Sequence, residues 1–161
     1  MNTSKTTIMK SNVLKVAFLA AATVFISCED DDPQVINEEE VITTVEFELV
    51  NNADVNDEVT FLSVDNDGEG PNMPVVTVSG PLTAGATYTG DIEFLNELET
   101  PVEDITEEVA EEAGEHEVFY IVNGADVTVS RTDTDDDGNP LGLDTTVTAG
   151  AAGSGTLTIV L

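Results

Sequence analysis

The sequence predicts an all-β fold, an antiparallel β-sandwich with one α-helix inserted at about 101–113. Three observations predict it. Short runs of strict apolar–polar alternation recur from Val41 to Leu161. Such period-2 patterning marks strands with one buried face. Turn residues (Asp, Asn, Gly and Pro) punctuate the runs at spacings that suit a two-sheet stack. One segment only, after Thr100, switches to the helical period.

Val41, Thr43, Val45, Phe47 and Leu49 share one parity, with Thr44, Glu46 and Glu48 on the other. Val59–Val64 and Val75–Val78 are the next two candidates. Pro81-Leu82-Thr83-Ala84-Gly85 then turns the chain into a fourth strand, where Tyr88, Ile92 and Phe94 alternate with Thr89, Asp91 and Glu93. Val118–Val122 reads as a strand buried on both faces. Val127 and Val129 oppose Thr128 and Ser130, and Leu157, Ile159 and Leu161 close the series. With no Trp and few aromatics, the core is expected to be mainly Val, Leu, Ile and Thr.

The helix reading starts from Thr100 as N-cap, Pro101 at the first helical position and Glu103 two residues on. Val102, Ile105, Val109 and Ala113 then fall on one face, and Gly114 ends it. The opposite face carries Glu103, Asp104, Glu107, Glu108, Glu111 and Glu112. Like charges four apart cost about 0.2–0.5 kcal/mol each. Packing of the apolar face must offset that, and the acids are either simply solvated or relieved by a cationic partner.

Residues 81–88 resemble the tyrosine-corner segment of immunoglobulin-like sandwiches, where a Tyr hydroxyl bonds back to nearby backbone. The resemblance implies an immunoglobulin-like arrangement, with Tyr88 in that role.

The start of the chain carries different information. Lys5, Lys10 and Lys15 precede an uncharged apolar run, Val16 to Ile26. A basic n-region followed by about 7–15 apolar residues is a secretory signal. The run is short of the about 20 residues that a membrane-spanning helix needs. The only cysteine follows at once, in Phe25-Ile26-Ser27-Cys28, a segment resembling the lipobox of bacterial lipoproteins. That resemblance implies cleavage before Cys28, lipid attachment there and a membrane anchor. A lone Cys in an exported chain has no internal disulfide partner, so lipidation explains it. The expected organisation is a signal peptide at 1–27, a lipidated acidic tether at 28–40 and a β-sandwich domain at 41–161. Glu29-Asp30-Asp31-Asp32 resembles the surface-export signal of Bacteroidota lipoproteins. It implies an outer-membrane address on the cell surface, with a periplasmic-facing spacer as the alternative.

Every acidic residue lies after Cys28, and three of the four basic residues lie before it. The part after the signal therefore sets 33 acids against Arg131 alone. Phosphate binding needs clustered Lys and Arg, so nucleic acid is excluded as a partner. The expected companions are the membrane, through the anchor, and a cationic or protein partner.

The sharpest chemical motif spans Asp133, Asp135, Asp137 and Asp144, with Gly138 between them. Counting from Asp133, carboxylates stand at positions one, three, five and twelve and Gly at six, the spacing of a Ca2+ loop. Strand-like flanks, an Asp at position twelve and Pro140 depart from an EF-hand, and the same residues suit a hairpin turn. A second acidic turn, Asp65, Asp67 and Glu69, could converge with the first at one end of a sandwich. A carboxylate-dependent hydrolase acting on surface glycans is the alternative function, since paired carboxylates cleave glycosides. No phosphate loop or zinc spacing appears, and His116 is the single His.

As a whole the chain resembles a family of small flavobacterial lipoproteins. The resemblance rests on Asn37 to Thr44 (NEEEVITT), Thr87 to Gly90, Phe94 to Glu97, Pro101 to Glu112 (PVEDITEEVAEE), His116 to Tyr120, and Gly138 to Leu143 (GNPLGL). It implies an address rather than an activity: a non-catalytic binding or interaction module. Some members carry a type 1 periplasmic binding fold label. That two-lobed α/β architecture does not fit about 120 β-rich residues, so the label is not carried over.

Overall fold

The computed structural model describes residues 41–68 and 70–161. The signal, Cys28, the tether and Glu69 lie outside the described residues. The chain forms strands β1 (Thr44–Asn51), β2 (Asp54–Val64), β3 (Val75–Val78), β4 (Thr87–Asn96) and β5 (Glu103–Asp104). Helix α1 (Ile105–Glu111) follows, then β6 (Phe119–Asn123), β7 (Val127–Arg131), β8 (Asp144–Ala149) and β9 (Thr156–Val160). One antiparallel sheet runs in the order β3-β2-β1-β4-β8-β7, with β5 also on β4; the second is the pair β6-β9. The expected all-β sandwich with one inserted helix is the observed fold.

Alternation sets the layers. Register pairs Phe47 with both Phe61 and Ile92, Leu49 with Val59 and Gly90, and Tyr88 with Val147, so these residues share the inner face. The β6-β9 pair lies on that face, where the Tyr120 ring sits 5.0 Å from Phe47. Phe47, Leu49, Val59, Tyr88, Ile92, Phe94 and Val147 are buried, and Ile105 and Val109 of α1 join them. Few aromatics are present, yet three of them form the centre of the core.

Gly90 is required by this packing. A Cβ there would stand 2.5 Å from Thr145 Oγ1, 2.6 Å from Leu49 Cδ2 and 3.0 Å from Phe47 Cε2. Its missing side chain leaves room for those of Leu49, Phe47 and Thr145.

The tyrosine corner forms as the sequence implies. Tyr88 is fully buried, and its hydroxyl accepts from Thr83 N at 2.8 Å. The same hydroxyl donates to Asp57 Oδ2 at 3.0 Å, and that oxygen also accepts from Asn51 Nδ2 (2.7 Å) and Thr83 Oγ1 (2.9 Å). The Asn51 and Thr83 side-chain donors lead in holding the Asp57 carboxyl below its ordinary range.

Three expectations need correction. The helix does not run 101–113: it starts at Ile105, because Glu103 and Asp104 are taken up by β4 opposite Asn96 and Leu95. Asp104, not Thr100, is the N-cap and accepts from Thr106 N at 3.0 Å. The Val118–Val122 strand is not buried on both faces, since Phe119 and Ile121 are 45% and 49% exposed. β8 was not expected at all. Its inward residues, Thr145, Val147 and Ala149, are scarcely more apolar than the outward Thr146 and Thr148, so the alternation is faint.

Candidate functional site

The opposite face of the large sheet carries the chemistry. In strand alternation, Glu46 and Glu48 of β1, Glu58 of β2, Asp91 and Glu93 of β4 and Asp144 of β8 point away from the core. Register then sets like charges directly across from one another: Glu46 against Glu93, Glu48 against Asp91, and Asp91 against Asp144. Such opposed pairs are destabilising. A folded chain that keeps three of them carries the cost of their mutual repulsion.

The electrostatics follow from that crowding. Partial burial leads in raising the Glu48 carboxyl above its usual range, helped by the charges of Glu58, Glu46 and Asp91. Asp144 is also raised, first by partial burial, then by its hydrogen bond with Asp91 and the charges of Asp133 and Asp91. Arg131, the chain's only basic residue after Lys15, does not relieve the face. Its guanidinium pairs with Glu117, donates to Val118 O at 3.3 Å and lies over the Phe119 ring at 5.1 Å.

Helix α1 borders this face beside β4. Thr106 Oγ1 accepts from Phe94 N at 2.9 Å and donates to Phe94 O at 3.3 Å, locking the helix onto the strand edge between β8 and β5. Two hollows flank it. One of about 480 Å3 is lined by Glu46, Glu48, Asp91, Glu93, Asp104 and Glu107 among others. The other, about 600 Å3, includes Asp91, Glu111, Asp133, Asp135 and Asp144 in its lining. Both are open and acidic.

The calcium-spaced loop folds as a hairpin. Thr134 bridges Pro140, Asp135 N donates to Asn139 O (2.9 Å), and Gly138 takes a positive φ of 86°. Asp135 Oδ1 accepts from Asp137 N (2.9 Å) and Asn139 N (2.7 Å), while its Oδ2 accepts from Asn139 Nδ2 (2.8 Å). Those bonds, the Asn139 side chain first, hold the Asp135 carboxyl below its ordinary range. Asp133 uses both oxygens on Gly142 N and Leu143 N, each at 2.8 Å. All four oxygens of these two carboxylates therefore face N–H donors of their own loop. Asp144 lies instead on β8, directly across from Asp91.

In the second turn, Asp65 Oδ1 accepts from Asp67 N at 3.3 Å, and Asp67 Oδ2 accepts from Asn72 N (3.3 Å) and Nδ2 (2.6 Å). Among the described residues, no three His, Cys, Asp or Glu side chains come together in a way that could hold a metal ion. The convergence of the two loops on a shared ion is absent from the described residues.

Sequence reading missed the carboxylate face because it is made by register between distant strands. Its only local signal is the run of acids on the polar parity of β1 and β4. No family model, no curated protein and no solved structure matches this chain.

Proposed function

We propose that this chain is a lipid-anchored outer-membrane protein, displayed at the cell surface, whose β-sandwich is a non-catalytic module for cationic partners. The sequence supports the anchor: a basic start, a short apolar run and Cys28 follow one another in the order that export and lipidation require. The interaction role rests on one observation, the opposed acid pairs of β1, β4 and β8. Opposed like charges destabilise the sheet that carries them, and a bound cationic group offsets their repulsion directly. Lysine- or arginine-rich segments of a protein, or a polyamine, have the matching charge. The Asp133–Asp144 loop serves here as a self-bonded wall of the acidic face rather than as a calcium cage.

Two measurements test the two halves. Palmitate labelling should mark the wild-type protein and be lost in Cys28→Ser; label retained in that variant refutes the anchor. A lysine hexapeptide titrated into the purified protein should bind at low salt. Combined Glu48→Gln and Asp91→Asn should weaken that binding well beyond a same-charge control on the tether, Glu29→Gln with Asp30→Asn. Equal losses would mean net charge alone, with no face.

One observation favours a second reading, a carboxylate-dependent hydrolase of surface glycans: Asp144 is held protonated to higher pH beside Asp91 in an open hollow. The geometry fits it less well. The hollow is open and crowded with other acids, Asp133, Asp135 and Glu111 among them, so no one pair is set apart as acid and base. Release of reducing sugar from glycan that disappears in Asp144→Asn would establish the enzyme over the module.

A further inference from the structure

The two sheets of the sandwich are unequal, and the difference leaves a defined space. Val118 N donates to Leu141 O at 2.7 Å, and the Tyr120 hydroxyl donates to Gly142 O at 2.8 Å. These bonds tie β6 to the side of the sandwich where β7 and β8 lie. Among the described residues β9 pairs with β6 alone, and its Leu157 shares the lining of one cleft with Phe61 of β2 and Val78 of β3. Among the described residues its outer backbone edge therefore has no partner strand. Beneath that edge runs a cleft of about 390 Å3 with Phe47, Phe61, Val78, Leu82, Val129 and Leu157 in its lining. Its volume is within the about 300–1,000 Å3 range of clefts that hold ligands.

Across the cleft stands a second bare edge. Among the described residues β3 pairs only with β2, and Val76 and Val78, on the inner parity with Phe61, are 68% and 49% exposed. Exposed edges are ordinarily blunted by charge, Pro or a bulge. β3 (VVTV) and β9 (TLTIV) have none of these, and both pair in unbroken register. In a chain with 33 acids, the two strands that flank the cleft are free of charge. Asp126, the one carboxylate at its border, is turned to Ala151 N at 2.7 Å.

We propose that this slot takes one extended peptide segment of a partner polypeptide, added as a strand to the open edge of β9. The open ladder requires a backbone partner, which an acyl chain or a sterol does not supply. The apolar floor requires a small branched side chain at every second position of that segment. The surrounding polyanion requires that the segment lack acids. This proposal goes beyond the cation-binding role and uses none of its residues, so each stands or falls alone.

The probe is a synthetic peptide alternating valine and threonine, capped at both termini and flanked by uncharged serines, titrated into the full-length protein in detergent. Hydrogen exchange followed by NMR should show alternate β9 amides slowed on binding, with shifts at Phe61 and Val78. N-methylation of the peptide at alternate residues should weaken binding by about tenfold or more, because each block removes a ladder bond. Val78→Asp should weaken it as much, while Glu99→Gln, outside both the cleft and the acidic face, leaves it unchanged. Binding that survives N-methylation, or that leaves β9 exchange unaltered, would show an apolar cleft without strand addition and overturn the proposal. So would no binding at all, or a slot already closed by a second copy of the chain.

Discussion

The carboxylate face makes an unusual prediction: removing one of its acids should stabilise the protein. Asp91 is the central member, opposed by Glu48 on one side and Asp144 on the other. Asp91→Asn keeps the shape and removes both repulsions. A directly opposed like-charge pair costs about 0.2–1 kcal/mol, and solvent screening on an exposed face favours the lower part of that range. Two pairs relieved give about 0.4–1 kcal/mol, or about 1–5 °C in Tm for a domain of this size. Urea unfolding at pH 7 is the assay, run at low and at high salt. The gain should shrink at high salt, where the Debye length falls to about 3 Å at 1 M. A destabilised variant, or a gain that salt does not alter, would refute the reasoning: the acids would then be held by something other than mutual repulsion. The same variant should bind the lysine hexapeptide less well, so stability and binding should move in opposite directions.

Four further outcomes follow from the geometry. Tyr88→Phe deletes the bond to the Asp57 carboxylate and the acceptor for Thr83 N, and should cost about 1.5–3 kcal/mol in urea unfolding. Gly90→Ala forces a methyl against Thr145, Leu49 and Phe47 and should cost about 1–3 kcal/mol by the same measurement, with the fold retained by circular dichroism. Asp135→Ala should loosen the 133–144 hairpin, seen as faster amide exchange at Asp137 and Asn139, and to the same extent in calcium and in chelator. The pH profile of stability should peak on the acid side of neutrality. Glu48 and Asp144 have raised folded values, so their unfavourable contribution grows as pH rises from about 3.9–4.3 through those values. Asp57 and Asp135 have lowered values, so their stabilisation is present above about 3.9 and is lost as pH falls below it. Unfolding midpoints measured from pH 2 to 8 would show this; a monotonic rise to pH 8 would contradict it.

What could be read from the residues alone was whatever one strand or one turn encodes in itself. β1 and β4 were visible because Val45, Phe47 and Leu49, and then Tyr88, Ile92 and Phe94, contrast sharply with the acids between them. The Pro81–Tyr88 corner was visible because it closes within a few residues. The 133–144 segment was legible as acidic and turn-forming, but not as to whether its carboxylates face an ion or their own amides. That choice depends on where Gly142 and Leu143 fold back. β8 was hidden because a thr-rich strand buried opposite Gly90 shows little contrast between its faces. The helix start was hidden because Glu103 and Asp104 fit a first turn locally, and only the free edge of β4 draws them into a strand.

The sequence by itself determined the sandwich, through alternation and turns, and it determined the overwhelming negative charge of everything after Cys28. The tertiary structure decided where that charge is concentrated. Glu48, Asp91 and Asp144 are far apart along the chain, and nothing local relates them; strand register does, and a slip of one residue would turn all of them toward the core. The edge of β9, without a partner strand among the described residues, is likewise a matter of assembly, because a strand's outer hydrogen-bonding groups are satisfied or left open only by what is placed beside them.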